Sequence, residues 1–279
     1  MAIVDDLWLA ALTRREDDAG SRNRFNLTVN IDGGDVFDKD FILGWGAPGS
    51  SRTGLRDGQA GLEESGPLSI PFDSAGLTNS SVRLGIRGDN AWGPEHVLLL
   101  GRTQPSFEPG RTVALAMETD LADWLSSDKS EGHLTTRVRL VGPGSAATVI
   151  RRVLLLVYTH GGNDVQTKSA IQLQIAAGGA VVLHHKINDD LNKYTANWFF
   201  IDVEMPFTRG DVVSNGSIRL SNLGTDAWLP KTVFVLGLDT DTGRPNEVVT
   251  LSALPDWDLG WLSTDPQEGS ASVDLPVSL

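Results

Sequence analysis

Asp32, Asp35, Asp38 and Asp40 fall within nine residues of the stretch NIDGGDVFDKDF. Carboxylates at that density are the ligands a calcium ion asks for, since it takes about six to eight oxygens. Asp89 and Asn90, in the turn-like GDNAW, are expected to converge on the same site. The spacing is not that of an EF-hand, and the competing reading is a solvated acidic loop. The second half of the chain offers a thinner set, Asn163, Asp164 and Asp226. A further acidic stretch, DTDTGRPNE at 239–247, lacks the later ligands of an EF-hand and reads as a turn.

Other chemistries leave no signature. There is neither a Gly-x-Ser-x-Gly elbow nor a phosphate-cradling Gly-x-x-x-x-Gly-Lys motif. GAPGSSRTG, at 46–54, is Gly/Ser-rich but is not followed by a helical pattern. The histidines are His96, His133, His160, His184 and His185, and none has zinc-site spacing. His184 and His185 are adjacent on an expected strand, so they point to opposite faces. The chain has no cysteine, which removes thiolate ligands, thiol nucleophiles and disulfides. Carboxylate pairs of the glycosidase kind stay open in any acidic protein. The expectation is a non-enzymatic protein.

The elements that must hold these residues come in two copies. SVRLGIRGDNAWGPEHVLLLG, from Ser81, aligns without a gap on SIRLSNLGTDAWLPKTVFVLG, from Ser217, with 10 identities in 21 positions. WLSSDKSEG from Trp124 then aligns on WLSTDPQEG from Trp261. A weaker match joins NLTVNIDGGD from Asn26 to LLLVYTHGGND from Leu154. Three matches in one order indicate a duplicated module, and a period this long indicates two domains rather than a solenoid.

Each copy reads as antiparallel β-structure. FNLTVNI, SVRLGIRG, HVLLLG, TVALAM and LTTRVRLV are strand candidates in the first copy. RVLLLVYT, SAIQLQIA, AVVLHHKI, NWFFIDVEM, SIRLSN and KTVFVLGL follow in the second. They are β-branched, several alternate, and Gly, Asn, Asp and Pro clusters separate them. The fold class is therefore all-β: two tandem antiparallel β-sandwich domains, at 24–140 and 152–279, joined by a linker at 141–151. Residues 1–23 read as a short amphipathic helix and a link. Ile3, Leu7 and Ala11 share a face with Trp8 and Leu12, and acids precede bases along it. Leu7, Trp8 and Leu12 would dock on the protein's own domain or on a partner.

In the repeated phrase, Gly88, Asp89 and Asn90 suit a turn, and Pro94 and Pro230 fix the entry to the next strand. Trp92 and Trp228 then either plug one end of each core or stand exposed to stack on a ligand or enter a membrane.

The net charge of −13 opposes binding to nucleic acid. It also opposes anionic lipid, unless a cation intervenes. No apolar run is long enough to span a bilayer. The N-terminus has acids where a signal peptide has bases, so the cytoplasm is the default expectation, with signal-less export left open.

The late segments, VRLGIRGDNAWGPEHVLLLG and IRLSNLGTDAWLPKTVFVLG, resemble those of the PLAT domain (polycystin, lipoxygenase, alpha-toxin). That family is an eight-stranded β-sandwich with an Asp-Asn turn, a Pro–Trp pair and a following apolar strand. NLTVNIDGGDVFDKDFIL resembles its opening. Here Trp precedes Pro, the reverse of the family's order. The resemblance implies an interaction module that binds lipid surfaces or protein partners, sometimes with calcium at one end. Two alternatives stand beside it: a structural building block of a larger assembly, and a carbohydrate-binding or lyase-like sandwich using exposed Trp and acidic residues.

Overall fold

The computed structural model describes residues 3–41, 55–103, 111–159, 161–162 and 164–278. About 56% of it is strand, and it contains one α-helix. Among the described residues no helix is long and apolar enough to cross a membrane. The chain divides into two compact units, Met1–Gly142 and Pro143–Leu279.

The first unit contains β1 (Ile3–Thr13), β2 (Arg24–Ile31), β3 (Gly34–Phe41), β4 (Ala60–Glu64), β5 (Phe72–Asp73), β6 (Val82–Arg87), β7 (Pro94–Thr103), β8 (Arg111–Glu118) and β9 (Thr135–Arg137). One sheet runs β4-β1-β7-β8, with β5 paired to the start of β1. The other runs β3-β2-β6-β9. All these pairings are antiparallel. Alternation explains the sheet faces. On β2, Phe25, Leu27 and Val29 are fully buried, while Asn26, Thr28 and Asn30 between them are only partly covered. The buried face joins Leu7, Leu9, Val97 and Leu99 of the first sheet in one core, a sandwich-like arrangement.

The second unit contains β10 (Val149–Thr159), β11 (Ile171–Ala177), β12 (Ala180–Ile187), β13 (Ala196–Thr208), α1 (Arg209–Asn215), β14 (Ser217–Asn222), β15 (Pro230–Leu238), β16 (Val248–Leu254), β17 (Trp261–Leu262), β18 (Gly269–Ser270) and β19 (Ser272–Leu275). Its sheets run β13-β10-β15-β16 and β12-β11-β14-β19, with β17 and β18 a short parallel pair. The one helix is held by a capping box, in which Thr208 and Asp211 satisfy each other's backbone N–H.

Register shows how the units correspond. Thr13 pairs with Pro94 as Thr159 pairs with Pro230, so β1 and β7 match β10 and β15. Leu27 pairs with Leu84 as Leu173 pairs with Leu220, so β2 and β6 match β11 and β14. Each hairpin turns on two residues of positive φ, Asp32 (52°) and Gly33 (84°) in one, Gly178 (57°) and Gly179 (84°) in the other. That is the type I′ signature, whose twist suits a two-residue hairpin.

Two sequence expectations are corrected by this register. Residues 3–13 are not an amphipathic helix but β1, a central strand hydrogen-bonded to β4 and β7. Leu7 to Ala11 are buried without interruption, and a strand covered on both faces reads as a continuous apolar run rather than an alternating one. The match of Asn26 to Leu154 also fails: Leu154 lies in β10, the counterpart of β1, and the true partner of NLTVNIDGG is the β11 hairpin. The stretch GAPGSSRTG lies outside the described residues.

Candidate functional site

The repeated phrase folds into the same corner twice. Trp92 and Trp228 are both wholly enclosed. The Trp92 indole N–H donates to Thr13 Oγ1 at 2.9 Å, and that of Trp228 donates to Thr159 Oγ1 at 3.1 Å. Each Trp also exchanges two backbone hydrogen bonds, with Leu125 in the first unit and with Leu262 in the second. Trp92 packs on Phe25, ring centroids 4.2 Å apart. Neither Trp presents a face to a ligand or membrane, which corrects their assignment as binding residues. Leu7 and Trp8 are buried in β1 and Leu12 is half-buried, so they form no helical docking face.

The four aspartates do not form a loop cage. Asp32 occupies the hairpin turn, and Asp35, Asp38 and Asp40 lie on strand β3. Asp35 accepts from Asn30 Nδ2 at 3.1 Å. Asp38 and Asp40 share the outer sheet face, where both accept from Asn26 Nδ2. Arg87 stands 3.7 Å from Asp38 and 3.2 Å from Asp40. Guanidinium thus occupies the place a cation would take. Asp89 and Asn90 lie exposed in the turn between β6 and β7, where the Asn90 carbonyl accepts from Asn23 Nδ2 at 2.7 Å. Asp226, exposed in the late turn, accepts from the Lys168 N–H at 2.8 Å. Asp164 has a positive φ of 56°, and Asn163 lies outside the described residues.

Superposed by register, the outer faces of β3-β2-β6-β9 and β12-β11-β14-β19 carry opposite charges on their edge strands. Thr28 faces Asp38 where Gln174 faces His184, and Asn26 faces Asp40 where Gln172 faces Lys186. At the other edge Arg83 faces Arg137, whereas Arg219 faces Asp274. Like charges directly opposite on a sheet are unfavourable. In the second unit the same positions form a bidentate ion pair, at 2.7 and 3.0 Å. Those hydrogen bonds hold the Asp274 carboxyl below its ordinary range and raise the Arg219 guanidinium.

The group that gathers the most chemistry lies just past the repeated Trp-x-Pro. Among the described residues, Glu95, His96 and Asp120 form the one group of three metal-competent side chains, their ligand atoms all within 4.8 Å of one another. A β-bulge makes this possible. Thr13 pairs with Pro94 and Leu12 with His96, leaving Glu95 as the extra residue. A bulge re-aims side chains that a regular strand would send to opposite faces. His96 is buried, with 8% of its surface exposed, and its Nδ1 accepts from the Asp120 N–H at 3.3 Å. Its Nε2 stands 3.8 Å from Glu95 Oε1. Asp120 sits at φ 56°, a left-handed conformation. The loop carrying it is held by Arg14, which donates to the Leu121 carbonyl and lies 5.8 Å over the Trp124 ring. Glu95 and Asp120 border a pocket of about 540 Å³ whose other wall is Arg14, Arg15 and Glu16.

The second unit has the same bulge between Thr159 and Tyr158, but it carries Lys231 followed by Thr232. Lys231 lies over the Tyr158 ring at 5.8 Å, and Thr232 Oγ1 donates to the Pro255 carbonyl. The Glu95 site leaves no sequence signature because Asp120 lies 24 residues beyond His96 and the set falls in no recognised spacing. The available signal was the break in the repeat itself, PEH against PKT within an otherwise shared phrase. Comparison with family models, curated proteins and solved structures returns no match.

Proposed function

We propose that this chain is a non-enzymatic interaction protein, two tandem β-sandwich modules that serve as a building block of a protein assembly. The observation that carries the reading is the inversion of edge charge between two faces of the same frame: Asp40 against Lys186 and Arg137 against Asp274, with His184 standing where Asp38 does. A second copy, turned about an axis across its strands, sets the acidic hairpin edge of one first module on the basic hairpin edge of another second module. The same turn sets Arg137, which faces Arg83 across the sheet, near Asp274. Such a contact joins unlike faces, so each chain keeps one face free for the next, which generates a ring or a filament. Complementary charge selects register and partner more than it adds affinity. The enclosure of Trp92 and Trp228 favours this over sugar stacking or membrane insertion.

Sedimentation velocity over a range of concentration and salt tests it. The expected result is a species larger than the monomer that dissociates at high salt, since exposed charges are screened. Asp38→Lys with Asp40→Lys should give monomers, and adding His184→Glu with Lys186→Glu should restore the assembly. A wild-type chain that stays monomeric at low salt and high concentration, or a fourfold variant that stays monomeric beside an assembling wild type, overturns the reading.

A further inference from the structure

We infer that the bulge of the first module is a binding site for a single transition-type divalent cation of the zinc class, held by His96, Glu95 and Asp120. Three independent features converge. First, the donor set is one imidazole and two carboxylates, which suits zinc, cobalt(II) or manganese(II) and not calcium, an ion that takes oxygen alone. Second, the spacing fits. Two ligand atoms each about 2.1 Å from one tetrahedral ion lie about 3.4 Å apart, and His96 Nε2 and Glu95 Oε1 stand at 3.8 Å. Asp120 completes the group within 4.8 Å. Third, the residues are presented by built features: a bulge that turns Glu95 beside His96, a buried imidazole, and a loop pinned by Arg14 through Leu121 and Trp124. Two of the three, Glu95 and Asp120, line the adjoining pocket and so are reached from solvent.

One consequence follows from the ring. A metal on Nε2 puts the imidazole proton on Nδ1, which now accepts from the Asp120 N–H. That N–H must turn away, so loading moves the loop at residue 120, where the backbone is already at φ 56°. The second module supplies an internal comparison. Its bulge offers Lys231 and Thr232 in place of the carboxylate and the imidazole, so it lacks the donor set. The stoichiometry is therefore one ion per chain.

The test uses the full chain, stripped with chelator and titrated with zinc by calorimetry and with cobalt(II) by visible absorption. Expected are one ion per chain and a rise in melting temperature with zinc, because a ligand of the native state alone stabilises it. His96→Gln, which keeps a neutral polar group in the buried position, should weaken zinc by more than the ~10–100-fold that loss of an outer-shell partner costs. Glu95→Gln should weaken it as well, and circular dichroism establishes that both variants are folded. His185→Ala should bind as the wild type does. The inference fails if the wild type binds no zinc, if it binds two ions, or if His185→Ala loses the ion while His96→Gln keeps it. A calcium-induced rise lost in Asp38→Asn with Asp40→Asn, without a zinc response, overturns it in favour of the hairpin. Assembly in the sedimentation experiment is read separately, so either result stands without the other.

Discussion

The Trp92 indole N–H donates to Thr13 Oγ1 at 2.9 Å across 79 residues of chain, and both side chains are wholly buried. The bond ties the end of β1 to the corner that opens β7. Removing its acceptor leaves a buried N–H without a partner, which costs about 1–3 kcal/mol. Thr13→Val should lower the denaturation midpoint by an amount in that range, and Thr13→Ser should recover most of it. Thr159→Val should do the same to the second unit, since Trp228 bonds Thr159 at 3.1 Å. A Thr13→Val protein as stable as the wild type in urea would show that this bond is not what holds the corner.

The WLSSDKSEG and WLSTDPQEG loops each close on a glycine with no room for a side chain. A Cβ on Gly132 would lie 2.2 Å from the Trp124 carbonyl oxygen, and one on Gly269 would lie 2.1 Å from that of Trp261. The obstacle is backbone, so no side chain can step aside. Gly132→Ala and Gly269→Ala should each cost at least about 3 kcal/mol. Gly33→Ala makes the contrast. Its site is empty within 4 Å and its only penalty is a φ of 84°, so it should cost about 1–2 kcal/mol. Chemical denaturation of the three variants decides whether crowding outweighs backbone strain.

What the sequence disclosed and what it hid have separate physical causes. Strands with one solvated face, such as β2 and β11, announce themselves by alternation, and so do the repeated corners, whose Trp, Pro and Gly are fixed by packing. β1 hid because burial on both faces erases alternation and leaves an apolar run that matches a helix equally well. β3 hid because its inward positions include Lys39, whose ammonium escapes to the Ser65 carbonyl at 2.6 Å, so the segment read as an acidic loop. The Glu95 group hid because a bulge creates it, and a bulge is a property of the pairing between two strands rather than of either one.

Because β1 is a central strand, its loss is a folding defect and not the loss of a tail. Deleting residues 1–13 removes the strand that joins β4 to β7 in the first unit and takes Leu7, Leu9 and Ala11 from its core. The first unit should then be digested by protease under conditions where the intact chain resists, while a fragment covering β10 to β19 persists. A truncated chain that keeps the β-sheet dichroism and protease resistance of the parent would return residues 1–13 to the status of an appendage.

The Arg219–Asp274 pair makes an acid-sensitive element of the second unit. The guanidinium donates two hydrogen bonds to the carboxylate, and these, more than charge alone, hold the Asp274 carboxyl below its ordinary value of 3.8. The folded state therefore binds this proton less readily than the unfolded chain does. The pair's contribution is complete above the ordinary carboxylate range and is lost as the pH falls through the lowered folded value. Both side chains are about half exposed, so the effect is small and weakens with salt. In a titration followed by carboxyl NMR, Asp274 should titrate below 3.8, and Arg219→Ala should bring it back to the ordinary range. Asp274→Asn should flatten the acid limb of a melting-temperature profile without altering its neutral plateau by more than a surface pair is worth. An Asp274 that titrates normally in the wild type would mean that solvent breaks the pair, and would leave the face of β14 and β19 open to a partner's charges.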